Sequence, residues 1–281
     1  MIDFLLNAKF SGGVAETHKL PAYEAAQSFY GISRATLITL NYLTEGRVRR
    51  RDFSARGFQI NLIANREGSF ESIYEIILNP EMMVVAAGVG LYATSEFVEN
   101  FLAGTIRRSV GLSAPPQIEQ LEAEDILDTG DTSALVDAIE PAIKSAHTVI
   151  NHGAGRVDLL TRESHLVGLD TETKRYIWTS RPDDEIHEKL LGIASYNANS
   201  REGRAFDYEL GKTIPFSIAK GADRRTIAEV LKSITSYALR REGENIGSGA
   251  AIRFTRILSG DERTKKIIIL KARQEFGDLR D

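Results

Sequence analysis

The sequence predicts an α+β protein in two parts: an N-terminal α/β domain with a long apolar helix, and a C-terminal OB-like five-stranded β-barrel. Three observations carry this. Period-two alternation and helical runs intermix over the first two-thirds of the chain. The texture then changes at "RPDDE" (181–185). Beyond it come five strand-like runs with one helical run between the third and the fourth, the order of an OB-like barrel. At 281 residues there is room for two cores. The expected boundaries are 1–183 for the α/β domain, with an acidic linker-like excursion at 111–132, then 184–275 for the barrel and 276–281 for a tail.

Residues 2–10 alternate as a strand and meet Gly12-Gly13. "EAAQSFYGISRATLITLNYL" (24–43) has the outline of a helix-turn-helix, with Gly31 at the turn. A DNA-reading second helix presents polar and basic side chains to the groove. Here the residues after Arg34 include Leu37, Ile38, Leu40 and Leu43. Burying each such side chain is worth about 1.5–3 kcal/mol, so a helical pair packed into a core is expected instead. Residues 57–65 alternate as a half-buried strand, and 73–78 form another after the turn "NREGSFES".

Residues 79–111 read as one long helix. Asn79 can cap it, Pro80 and Glu81 suit its start, Arg107 and Arg108 suit its end, and Gly111 stops it. Glu96, Glu99 and Asn100 interrupt the apolar run, which favours burial over a membrane span. Its small residues Ala86, Ala87, Gly88 and Gly90 offer a close-packing face for self-association. Residues 133–151 read as helical with a break before Pro141. Short strands "HLVGLD" (165–170) and "KRYIWTS" (174–180) flank the turn "TET".

The barrel runs are 189–196, 204–210, 213–218, 250–258 and 266–272, with a helix at 224–239. In the second run, Arg204, Phe206, Tyr208 and Leu210 share one face, and Ala205, Asp207 and Glu209 the other. With the aromatics inside, the outer face is acidic.

The function classes narrow by subtraction. There is no cysteine, so disulfides, thiolate metal sites and cysteine nucleophiles are excluded. The N-terminus lacks the basic lead and apolar length of a signal peptide, and a cytoplasmic location is expected. The net charge of −4 is uneven: residues 186–281 carry 18 Lys and Arg against 13 Asp and Glu, residues 1–185 carry 17 against 26. Neither HExxH nor a glycine-rich phosphate loop occurs. His18, His147, His152, His165 and His187 form no metal spacing, and no catalytic residue, metal or cofactor is expected. Ser69, between two acids in "EGSFE", is the best nucleophile on offer and makes a hydrolase the third reading.

Two groups of residues suit an anionic ligand. Arg47, Arg49, Arg50, Arg51 and Arg56 cluster in "GRVRRRDFSARG". Asn197, Asn199 and Arg201, with Arg263, Lys265 and Lys266, sit in the two loops that OB-like barrels use for ligands. A nucleic-acid or nucleotide binder is therefore the second reading.

With "LPAYEAAQSFYGISRATL", "NREGSFES", the small-residue helix and "GIASYN…TIPFSI…TKKIIILKA" in this order, the chain resembles an uncharacterised bacterial family. Its members pair an N-terminal α/β domain with a C-terminal five-stranded β-barrel. The resemblance implies this architecture and brings no catalytic residues with it. Bacterial proteins of this type are often accessory parts of defence or mobile-element systems. The first reading is thus a non-catalytic binding or assembly component with a protein partner or a second copy of itself, and no membrane.

Overall fold

The computed structural model describes residues 1–49, 54–63, 70–85, 94–124, 126–162, 164–210, 212–241, 249–260 and 262–280, with the backbone alone for 212, 240 and 241. It is an α+β protein of two compact units, residues 1–127 with 135–178 and residues 128–134 with 179–281. No helix among the described residues is long and apolar enough to cross a membrane.

The first unit is built on an antiparallel sheet in the order β2-β3-β1-β4-β5. Its strands are β1 (Ile2–Ser11), β2 (Phe58–Ile63), β3 (Phe70–Leu78), β4 (Arg156–Leu160) and β5 (His165–Leu169). Strict alternation in β1 buries Ile2, Phe4, Leu6, Ala8 and Phe10 on one face. That face shares a core with α1 (Ala22–Glu45), α2 (Ser95–Ser109) and the later part of α4 (Thr129–Ala146).

Several expectations from the sequence change here. The expected helical pair is one continuous helix of 24 residues, α1. Gly31 makes no turn; it lets α1 lie against α4, where an added Cβ would stand 2.3 Å from Ala146 N and 2.4 Å from Ala142 O. Ser28 completes the joint, donating to the Ala146 carbonyl at 2.8 Å and accepting from Val149 N–H at 3.2 Å. The long helix expected over 79–111 is not supported. Asn79 caps only a 3₁₀ turn, Pro80–Met82, and α2 begins afresh at Ser95, with extended Thr94 accepting from Phe97 N–H.

The acidic excursion at 111–132 contains a helix, α3 (Pro116–Ala123), that buries Ile118 and Leu121. Pro141 lies inside α4 without breaking it. Residues 171–178, expected as a turn and a strand, form helix α5 (Thr171–Trp178). Asp170 starts that helix by accepting from the N–H groups of Glu172 and Thr173.

In the second unit β6 (Arg181–Asn197), β7 (Glu202–Asp207), β8 (Lys212–Ile218), β9 (Gly249–Leu258) and β10 (Thr264–Arg273) pair in a closed ring, β10-β8-β7-β6-β9. All pairs are antiparallel except β10 with β8. Helix α6 (Arg224–Arg241) runs between β8 and β9 and contributes Val230 to the interior. Asp223 caps α6 through Thr226, and Arg273 holds its carboxyl well below the usual carboxylate range. The expected tail includes a 3₁₀ turn, Phe276–Leu279, with Leu279 fully buried.

The second strand faces the opposite way from the expected one. Gly203, Ala205 and Asp207 are buried, with Ala205 in the barrel core, while Arg204 and Phe206 are half-exposed. The reason is space. Phe216 of β8 fills the interior opposite Gly203, where a Cβ would stand 2.7 Å from its ring. Phe206 instead packs against Tyr208 and Tyr237, ring centroids 5.4 and 5.9 Å away.

Candidate functional site

The structure gathers the described arginines of the predicted basic cluster around one carboxylate. Arg49, itself buried, donates two hydrogen bonds to Glu45 at 2.6 and 2.5 Å. Arg47 Nε lies 3.2 Å and Arg56 Nε 3.5 Å from the same group. Burial would raise the Glu45 pKa, but the bonds from Arg49 and Arg47 prevail and hold it below its ordinary value. Arg50 and Arg51 lie outside the described residues, as do Ser69 and the self-association residues Ala86, Ala87, Gly88 and Gly90.

The loop candidates have structural work at the ends of the barrel strands. Asn197 Oδ1 accepts from the N–H groups of Asn199 and Ser200, and its Nδ2 donates to Asp131. Arg201 closes that turn at φ 60°, its N–H donating to Asn197 O. In the other loop the Arg263 carbonyl accepts from Ser259, Lys265 Nζ donates to Ser180 and Lys266 Nζ to Glu202, each at 2.8 Å for the lysines.

The site that sequence reasoning missed is the mouth of the barrel. β7 pairs with β6 only from Leu191 onward, so the earlier part of β6 has a ladder with β9 alone. In the gap opens a pocket of about 340 Å³, floored by Ile214, Phe254 and Ile267. His187, Lys189, Arg256 and Thr264 line it, with Asp207, Glu209 and Leu210 on the β7–β8 side. The His187 and Phe254 rings lie 5.6 Å apart at 30°.

Its charges are arranged in pairs. Lys189 Nζ lies 2.7 Å from Asp207 and 2.7 Å from Glu209. Asp207 also accepts from the N–H groups of Glu209 and Leu210, which shapes the turn after β7. Burial works against both charges: it raises the Asp207 pKa and lowers that of Lys189. Their mutual bond outweighs it, leaving Asp207 below and Lys189 above their ordinary values. Asp183 accepts from Arg256 at 2.8 Å and from His187 Nε2 at 3.2 Å, and Arg256 first, then His187, bring its pKa down to about 2.

Residues 6–178 match the family described as "Domain of unknown function (DUF7946)". The chain belongs to that family. Residues 185–273, which include the whole lining of the mouth, match a second one, "Family of unknown function (DUF7947)". No curated protein and no solved structure matches the chain.

Among the described residues one group has the makings of a cation site: Asp183, Glu185 and His187 offer ligand atoms within 4.8 Å of one another. The Arg256 guanidinium stands 2.7 Å from Asp183 and is paired with that carboxylate. Asp207→Ala removes both the turn acceptor and the partner of Lys189, and about 2 kcal/mol of barrel stability is expected to go with them. Glu209→Gln, at an exposed position, is expected to change stability by less than about 0.5 kcal/mol. Hydrogen exchange of β6 and β7 amides in urea checks both.

Proposed function

We propose that the chain is a non-catalytic binding component that engages a protein partner through the mouth of its barrel. The observation that carries this is the mouth pocket itself: a concavity of about 340 Å³ in which apolar Leu210, Ile214, Phe254 and Ile267 lie among five charged side chains, Glu188, Lys189, Asp207, Glu209 and Arg256. On this reading the second unit is an OB-like module, which the ring order and the helix between its third and fourth strands support. A cytoplasmic setting is part of the same proposal, and the cysteine-free composition supports it.

A second reading, single-stranded nucleic acid, is favoured by one observation. Phe206 and Tyr208 lie outside the barrel core, with Tyr237 beside them, where bases could stack. Such binding also needs a positive groove. The described arginines near Glu45 are gathered on its carboxylate, and Lys266 is paired with Glu202.

Fluorescence anisotropy with labelled single-stranded DNA, at low and moderate salt, separates the two. No saturable binding is expected at either salt. Saturable binding that weakens steeply with salt would overturn the proposal in favour of nucleic acid.

A further inference from the structure

The mouth's chemistry selects a ligand class, and this step rests on reading the mouth as a binding site. We infer that it receives the basic side chain of a protein partner, a lysine or arginine whose stem lies along Ile214, Phe254 and Ile267 and whose cation meets Glu209.

The pocket already accommodates one alkylammonium, that of Lys189, held by Asp207 and Glu209 at 2.7 Å each. The groups in and around it are not balanced. Among the described side chains, Asp183, Glu185, Glu188, Asp207 and Glu209 supply the negative charges, and Lys189, Arg253 and Arg256 the positive ones. Arg256 answers Asp183, Arg253 lies 3.7 Å from Glu188, and Asp207 is buried against Lys189. The excess therefore falls on Glu185 and Glu209, whose side chains are 71% and 78% exposed.

An anionic ligand would have to pull Lys189 or Arg256 from a carboxylate and leave that carboxylate in the pocket. A cationic one keeps every existing pair and gains the exposed acids. The apolar floor of Ile214, Phe254 and Ile267 suits the methylene stem of lysine or arginine. Leu210, itself in the lining, is exposed. The residues flanking a partner's side chain can cover it, and a free diamine cannot.

The test is an NMR titration of the labelled full chain with capped tripeptides Gly-Arg-Gly, Gly-Lys-Gly and Gly-Glu-Gly, and with putrescine. The basic tripeptides are expected to shift the rings of His187 and Phe254 and the methyls of Ile214 and Ile267, with Glu209→Gln weakening them about three- to ten-fold. If Gly-Glu-Gly binds there more tightly, the ligand class is wrong while the mouth stands as a site. Putrescine binding as tightly as the basic tripeptides would overturn the protein source. If no probe moves these resonances, the inference and the reading of the mouth fail together.

Discussion

Gly31→Ala is expected to destabilise the first unit by about 3 kcal/mol, the upper end of what forcing atoms into a close-packed interior costs. The new methyl would stand 2.3 Å from Ala146 N and 2.4 Å from Ala142 O. Both neighbours are backbone, so no rotamer change relieves the contact; α1 and α4 must part. Parting them also strains the Ser28 bonds to Ala146 and Val149. Alanine's better helix propensity returns only about 1 kcal/mol. Hydrogen exchange of α1 and α4 amides in urea measures the loss. Gly221→Ala is the control, since a Cβ there meets nothing within 4 Å.

The second large effect is a loss of stability in mild acid, traced to His147. This imidazole is fully buried, with Nδ1–H donating to the Ile143 carbonyl at 2.8 Å and Nε2 lying 3.0 Å from Thr173 Oγ1. Burial, the largest cause, brings its pKa down to about 4 from the usual 6.5. Between those values the unfolded chain takes up a proton that the folded chain refuses. The stability that His147 contributes is therefore complete above pH 6.5 and falls as the pH drops toward 4. The whole window is worth roughly 3 kcal/mol. Denaturant unfolding of the wild type and of His147→Gln, at about pH 7 and about pH 5, is expected to show the wild type losing more between the two. Equal losses would mean that another group controls the acid limb.

The strands were legible wherever one face alone is buried. β1 shows this best, because Ile2, Phe4, Leu6, Ala8 and Phe10 repeat at the period of a strand. What stayed hidden is set by tertiary neighbours. Gly31 reads as punctuation until α4 is placed beside it. Tyr176, Ile177 and Trp178 have strand-like propensities, but the cap at Asp170 and burial of Tyr176 and Ile177 make the segment a helix. Phe206 looks like an interior residue until Phe216 is seen to fill that space. The mouth left no local signal for the same reason: Lys189 and Asp207 are 18 residues apart and meet only because β6 and β7 pair. Asp183 and His187 have the spacing of a helical pair, yet they come together across a register shift in a strand.

The central claim, that the barrel mouth is the ligand site, is tested most directly by an NMR fragment survey of the labelled full chain. Small molecules of unrelated chemistry reveal where a protein surface binds, whatever its natural ligand. The account predicts that hits converge on His187, Phe254 and Ile267. Hits that leave those residues untouched and gather instead on Phe206, Tyr208 and Tyr237, or on the arginines around Glu45, would contradict it.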